Sequence, residues 1–357
     1  MRSIFIRPRL DEQFGDKLFT WSSDLYPAFY GSGWAVALKE ALAKRGYQLM
    51  TIDMAETLRE LCDADKIIFM GYYNDSYFKD CNGLKDKMVY YEVEFPVNEN
   101  VELGEGGCAP EWYLNKFSRI LTWKKDIVDN KRVFYMQRPN NWYHGQLSNV
   151  AFSDRRLCVM ASSNKISNVI GELYSERRRA VEFLQRYDAI DLYGRGWTRS
   201  ITRFVRRKLG MSVDDSKVFR TSWLARRLAG EADYSKCLKG SWTVDGIYET
   251  YARYKFAIVY ENLGGLRGAV SNRIFDCLQS GCIPIYLGAS DIEEIVSPDC
   301  FIDKREYTYD ELLSFMIEMD EDTFRKYLAN GRRFLMSEGL KHFEEGWAKE
   351  FSEVLLK

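Results

Sequence analysis

The apolar and polar positions of this 357-residue chain follow two alternating periods. Short apolar runs rich in β-branched and aromatic residues recur at 3–7, 47–52, 66–71 and 88–94, and again at 157–161, 190–193, 256–260 and 282–287. Runs of this length, bounded by turn residues, predict buried strands. Between them, apolar residues return at helical spacing: over 34–46, which ends at Gly46, over 56–62, and over 172–186. A shorter helix carries Ile274, Phe275 and Leu278 and stops at Gly281, and helices at 309–319 and 322–336 precede a final one in 337–357. Strand, helix and strand in repetition predict an α/β chain with parallel sheets covered by helices. Residues 129–155 lack a period and hold Pro139, Asn140, Asn141 and Gly145, so the interdomain linker is placed there. The expected division is 1–150, 151–335, and a C-terminal helical segment 336–357; a chain of this length suits two domains.

The stretch Tyr251–Asp303 organises the second half. Its strand stops at Glu261-Asn262, and a loop with Gly264, Gly265 and Gly268 follows; Ser271 is read as the N-cap of the next helix. In a βαβ unit, ligands bind beyond the carboxyl ends of the strands, where loop amides and a helix N-terminus meet an anion. Here that corner holds Glu261, Asn262, Arg267, Asn272 and Arg273. Strand, glycines and helix describe any βαβ unit, but a carboxylate at a buried strand end must be paired or used.

Lys and Arg number 51 against 52 for Asp and Glu, so no overall field recruits nucleic acid or anionic lipid. Residues 198–240 are locally basic, with Arg199, Arg203, Arg206 and Arg207 among apolar residues. They are a candidate for peripheral contact with anionic lipid or a lipid-linked acceptor, the alternative being a solvated insertion. Eight scattered cysteines without a CxxC pair, and two histidines, argue against a zinc site or a disulfide framework and fit reduced thiols in a cytoplasm. His144, alone in a polar loop, is read as structural or exposed. Asp63-Ala64-Asp65 has the look of a metal-binding DxD but precedes a strand, and is read as a solvated turn, so no metal ligand is assigned. The apolar runs fall short of the ~18 residues of a membrane span.

The segments Tyr254-Lys255-Phe256, Tyr260-Glu261-Asn262-Leu263, Ser271-Asn272-Arg273-Ile274 and Ile283-Pro284-Ile285-Tyr286-Leu287-Gly288 occur in that order without interruption. Together they resemble the nucleotide-sugar half of the α1,3-fucosyltransferase family, glycosyltransferase family ten. Ala269, Asn272 and Arg273 stand where that family has tyrosine, glutamate and lysine. Glu94-Phe95-Pro96 resembles its Glu-Ser-Pro, which supplies the catalytic carboxylate, and Leu121-Thr122-Trp123-Lys124-Lys125-Asp126 resembles a further short segment. The resemblance implies a GT-B-like fold, two Rossmann-like domains facing a central cleft, with acceptor recognition on the N-terminal side. It implies an inverting transferase moving a sugar, L-fucose from GDP-fucose foremost, onto a hydroxyl of an oligosaccharide or glycolipid. No cofactor is required on this reading: Arg177 and Arg273 face the diphosphate, Asn262 and Asn272 the ribose or sugar hydroxyls, Glu261 positions the loop or the sugar, and Ser271 is counted with the donor-binding residues. Glu94 is the first candidate base and Glu92 the second, because alternation along one strand turns both to one face. Arg178 and Arg179 are read as a solvated helix face. The animal and plant members carry a membrane anchor, so this chain is expected to be a bacterial- or viral-type member, cytoplasmic and soluble or peripheral to a membrane. Two alternatives stay open: a different nucleotide sugar, or a catalytically silent sugar- or membrane-binding protein on the same scaffold.

Overall fold

The computed structural model describes residues 1–20, 33–71, 79–81, 83–93, 115–167, 169–197, 232–241 and 244–357. They form two compact units, Met1–Trp142 with Arg267–Ala269 and Glu338–Lys357, and Tyr143–Leu266 with Val270–Ser337.

The first unit is built on strands β1 (Arg2–Arg7), β2 (Tyr47–Thr51), β3 (Lys66–Met70), β4 (Met88–Tyr91), β5 (Arg119–Thr122) and β6 (Val133–Tyr135), with helices α1 (Gly33–Ala43) and α2 (Leu58–Asp63). All neighbouring strands are parallel, in the order β2-β1-β3-β4-β5-β6. Apolar side chains face both ways from these strands, as a sheet covered on two sides requires. Ile4, Ile68, Val89, Tyr91 and Leu121 pack on one face; Phe5, Ile67, Phe69, Tyr90 and Ile120 pack on the other.

Three expectations are corrected here. Strand β4 ends at Tyr91, so Glu92 stands just beyond it, and Glu94 lies outside the described residues. The stretch 129–155 holds the boundary between the units, at Trp142 and Tyr143, but it also contains β6, whose Val133 and Phe134 pair with Ile120 and Leu121. Three residues are too few to display a period, which is why this strand passes for linker. The segment 337–357 is not one helix: a 3-10 turn, Glu338–His342, precedes a helix at Glu344–Leu356, here α8.

That last helix completes the first core. Trp347 is 1% exposed, its ring 5.5 Å from Trp34 and 4.8 Å from Phe351, and its Nε1 donates to Gln137 O at 2.8 Å. Asn140 accepts from the Glu344 amide at 3.1 Å and donates through Nδ2 to His342 O at 3.1 Å, fastening the entry to α8.

The second unit contains β7 (Arg156–Ala161), α3 (Tyr174–Leu184), β8 (Asp191–Tyr193), β9 (Leu238–Gly240), α4 (Val244–Ala252), β10 (Tyr254–Tyr260), α5 (Arg273–Gln279), β11 (Ile283–Leu287), β12 (Ile302–Asp303), α6 (Tyr309–Glu318) and α7 (Glu321–Leu335). Its parallel sheet has the order β12-β11-β10-β7-β8-β9. The chain therefore moves outward from β7 through β8 to β9, then returns to lay β10 on the other side of β7. That reversal is a topological switch point, and the crevice it opens at the carboxyl ends of β7 and β10 is the ligand position in open α/β sheets. At the far end of α5, Gly281 takes φ 64° and its amide bonds Leu278 O while Cys282 N bonds Cys277 O. This is the helix stop expected of a glycine, and it delivers the chain directly into β11.

Replacing Trp347 by alanine removes a fully buried indole and should lower the unfolding free energy of the N-terminal unit by about 3–5 kcal/mol, read as a reduced urea midpoint. An unchanged midpoint would mean that α8 is not part of that core.

Candidate functional site

The site grows from the last residues of β10. The Glu261 amide donates to Leu287 O at 2.8 Å, extending the β10–β11 ladder by one step and turning the side chain into the protein, where the residue is 1% exposed. A carboxylate so placed needs donors. Oε1 accepts from the Ser271 amide at 2.7 Å, and Oε2 faces Arg273 Nη1 at 3.5 Å. Gly288, at the end of β11, makes room for this arrangement: a Cβ there would stand 2.3 Å from Glu261 Cγ.

Asn262 is the meeting point of the two arginines. Its Oδ1 accepts from Arg177 Nη2 at 2.9 Å and from Arg273 Nη2 at 3.1 Å. Arg177, on α3, is 3% exposed; it also donates to Ser162 Oγ at 3.1 Å and Tyr260 O at 2.5 Å, and lies 5.1 Å from the Tyr174 ring centre. Burial, and then the neighbouring Arg273 charge, draws the Arg177 guanidinium down to about 9, so it stays a cation at neutral pH. Ser162 follows β7 and Asn262 lies just past β10, so Arg177 bridges the two strand ends at the switch point. The Arg273 side chain keeps 26% of its surface and lies at the first turn of α5. Two guanidiniums thus meet on one amide oxygen beside the Glu261 carboxylate, and guanidiniums match phosphate oxygens bidentately.

Ser271 is not the N-cap. That position belongs to Asn272, at φ −64° and ψ −15°, whose side chain makes no capping bond. The Ser271 amide is taken by Glu261, and Asn272 Nδ2 donates to Asp276 Oδ2 at 3.2 Å. Asp276 is 3% exposed and accepts also from Tyr248 OH at 2.9 Å; burial raises its carboxyl to about 7.

The residues expected from the sequence, Arg177, Glu261, Asn262, Ser271, Asn272 and Arg273, thus come together in one cluster. Ser162, Tyr248 and Asp276 join them without having been expected. For Asp276 the signal was present: an acidic residue between Phe275 and Cys277, on a helix whose neighbours are apolar, is destined for burial. Arg178 and Arg179 turn away, Arg178 to Lys165 O at 2.8 Å and Arg179 to Glu176 at 2.7 Å. Arg267, expected in the same corner, belongs to the N-terminal unit and pairs with Asp126 at 3.6 Å. Asp63 and Asp65 pair with Arg59 at 3.7 Å and Arg2 at 3.5 Å, and His144 is exposed.

In the N-terminal unit, Glu92 is 2% exposed and both of its oxygens are engaged, one by Lys124 Nζ at 2.6 Å and the other by the Thr122 hydroxyl. The pair ties the end of β4 to the end of β5. Residues 198–231 of the basic stretch lie outside the described residues. Among the described residues no helix is long and apolar enough to cross a membrane, and no group of His, Cys, Asp or Glu is arranged to hold a metal.

Comparison with known proteins relates part of the sequence and the fold to glycosyltransferases. An alpha-(1,4)-fucosyltransferase of Arabidopsis thaliana is 30% identical over 79 residues, which cover 22% of this chain and 20% of that enzyme, so the match spans about a fifth of its length. Among solved structures, an alpha1,3-fucosyltransferase with GDP aligns with all of this chain and 90% of its own, at 13% identity and a TM-score of 0.54. An alpha-glucosyltransferase in complex with UDP-glucose and DNA containing an abasic site aligns over 100% of both chains, at 12% identity and a TM-score of 0.60. At such identities these likenesses establish the fold, a GT-B-like pair of Rossmann-like units. Residues 230–349 match the family described as "Glycosyltransferase family 10 (fucosyltransferase) C-term". The matched segment, about a third of the chain, carries Glu261, Asn262, Ser271, Asn272 and Arg273.

Proposed function

We propose that the chain is an inverting glycosyltransferase that moves a sugar, L-fucose from GDP-fucose, onto a hydroxyl of a glycan acceptor. The observation that carries this reading is the convergence of Arg177 and Arg273 on Asn262 Oδ1 at the carboxyl end of β10, with Glu261 fixing the loop beside it. The family of residues 230–349 and a similar fold solved with GDP support the choice of donor.

On this reading Arg273, the more exposed of the two cations, binds the diphosphate directly. Arg177 lies one layer deeper and adds its charge through Asn262. The two stabilise the negative charge that grows on the departing nucleotide, a role in which positioned guanidiniums serve as a metal does elsewhere. Asn272 and the Ser271 hydroxyl face ribose or sugar hydroxyls. A carboxylate on the N-terminal side takes the acceptor proton as its oxygen attacks the anomeric carbon, so that configuration inverts. We assign that base to Glu94. Glu92 is already paired with Lys124 and accepts from the Thr122 hydroxyl, which suits a brace that sets the course of the chain after β4.

GDP should raise the melting temperature more than UDP, ADP or CDP, and EDTA should leave that shift intact. In the same assay Arg273→Ala should weaken GDP binding about 10- to 150-fold, the worth of a charge-assisted phosphate contact, while Arg178→Ala leaves it within about twofold. Stabilisation by UDP alone would reject the donor, and equal effects of the two substitutions would reject the placement of the diphosphate.

Glu94→Gln should retain donor binding and lose transfer by about 10²–10⁴-fold, whereas Glu92→Gln should act mainly on stability. Full transfer by Glu94→Gln, measured with GDP-fucose and a panel of oligosaccharide acceptors, would place the base elsewhere.

A further inference from the structure

Asp276 is a buried carboxyl that the proposed chemistry does not use. It sits on the first turn of α5, directly after the residues that face the donor, and it joins that helix to α4. Tyr248, from α4, donates to its Oδ1 at 2.9 Å, and Asn272 Nδ2 donates to its Oδ2 at 3.2 Å. Tyr248 is itself held: its ring stacks on Tyr143 with centroids 4.2 Å apart and planes at 14°, and the Tyr143 amide bonds Gln279 Oε1 on α5 at 2.9 Å.

The carboxyl itself keeps both contacts in either protonation state. Ionised, the carboxylate accepts from both partners. Protonated on Oδ1, it donates to the Tyr248 oxygen, whose hydroxyl hydrogen rotates away, while Oδ2 still accepts from Asn272. The charge can therefore change while Asn272 and the start of α5 stay in place. The charged and titratable groups facing this carboxyl are Tyr248 from α4 and Arg273 from its own helix, with the Cys277 thiol next to it kept neutral by burial. Arg273 is the guanidinium assigned above to the diphosphate.

We propose that Asp276 is a positioning residue and charge switch of the donor corner: binding of a sugar nucleotide is coupled to uptake of one proton by Asp276, and donor affinity falls as the pH rises through neutrality. The inference rests on the reading that Arg273 holds the diphosphate. Its sign follows from electrostatics. An anion arriving beside a carboxyl disfavours the carboxylate, and by reciprocity the carboxylate disfavours the anion. Arg177 and Arg273 face Glu261 here, with Glu172 also acting on Arg177; ionising Asp276 adds one further negative charge beside Arg273 and so weakens the attraction for an anion. Burial sets the carboxyl at about 7, with the Tyr248 bond and Arg273 each pulling it down, so the change falls where it can be measured. A unit charge about 10 Å from the phosphates, at an effective dielectric constant of about 20, is worth about a tenfold change in Kd.

The test is calorimetric titration of the full chain with GDP-fucose, whose two phosphates have no ionisation near neutrality, between about pH 5.5 and 8.5 in buffers of different ionisation enthalpy. The wild type should bind about tenfold more weakly at the upper limit and take up a proton near neutral pH. Asp276→Asn, which offers Nδ2 to Tyr248 and Oδ1 to Asn272 as the protonated acid does, should bind at every pH with the low-pH affinity of the wild type. Tyr248→Phe removes a bond that favours the carboxylate and should move the fall to higher pH. Binding by the wild type without pH dependence or proton uptake would overturn the switch and leave the donor reading standing. The switch is overturned in the same way if Asp276→Asn keeps the wild-type profile, or if Tyr248→Phe moves the fall to lower pH. Absence of GDP-fucose binding at every pH would overturn the donor reading and the switch together.

Discussion

A carboxylate taken out of water at the end of β10 is the constraint on which the second unit depends. Left alone, Glu261 would cost several kcal/mol or give up its charge. It is answered by the Ser271 amide and the Arg273 guanidinium. Those two partners lie on the far side of the glycine loop, so satisfying the carboxylate also folds the loop back and fixes where α5 begins. Asn262, the next residue, then receives Arg177 from α3. In this way the β10 terminus, the loop and two helices are held by one buried polar network. Networks of this kind specify a single arrangement when every member is satisfied.

The surplus of that network is what the proposed function uses. A purely structural answer to Glu261 would need one cation, and the corner contains two. Burial weakens the hold of Arg177 on its proton, and the charge of Arg273 adds to that effect. Such mutual repulsion is relieved by an anion. The location is the switch point between β7 and β10, where the sheet itself opens a crevice. Topology and electrostatics arrive independently at the same few residues.

Much of this was legible in the sequence because the physics is local. Phe256–Tyr260 and Ile283–Leu287 are buried on both faces and read as unbroken apolar runs, and Gly281 marks the end of α5 through its left-handed backbone. Glu261-Asn262 stood out as polar residues where burial was expected. What failed depended on partners distant in sequence. Ser271 has the composition of an N-cap, yet its amide is claimed by a carboxylate ten residues earlier, and Asn272 takes the position instead. Arg267 lies in the same loop as Gly264 and Gly265 but belongs, with its partner Asp126, to the N-terminal unit. Strand β6 is too short to carry a period and gains its identity from pairing with β5. Glu92 reads as a candidate base from alternation alone; its bonds to Thr122 and Lys124 could not be read from the sequence.

The central claim is that the positive corner built on Glu261 and Asn262 receives a nucleotide diphosphate. A crystal structure of the protein with GDP tests it most directly. The account predicts diphosphate oxygens within about 3 Å of Arg273 and of the amides at the start of α5, with Glu261 still bonded to Ser271. A nucleotide bound elsewhere, or a diphosphate at this corner that leaves Arg273 on Glu261 and Asn262 and touches neither it nor those amides, would contradict it.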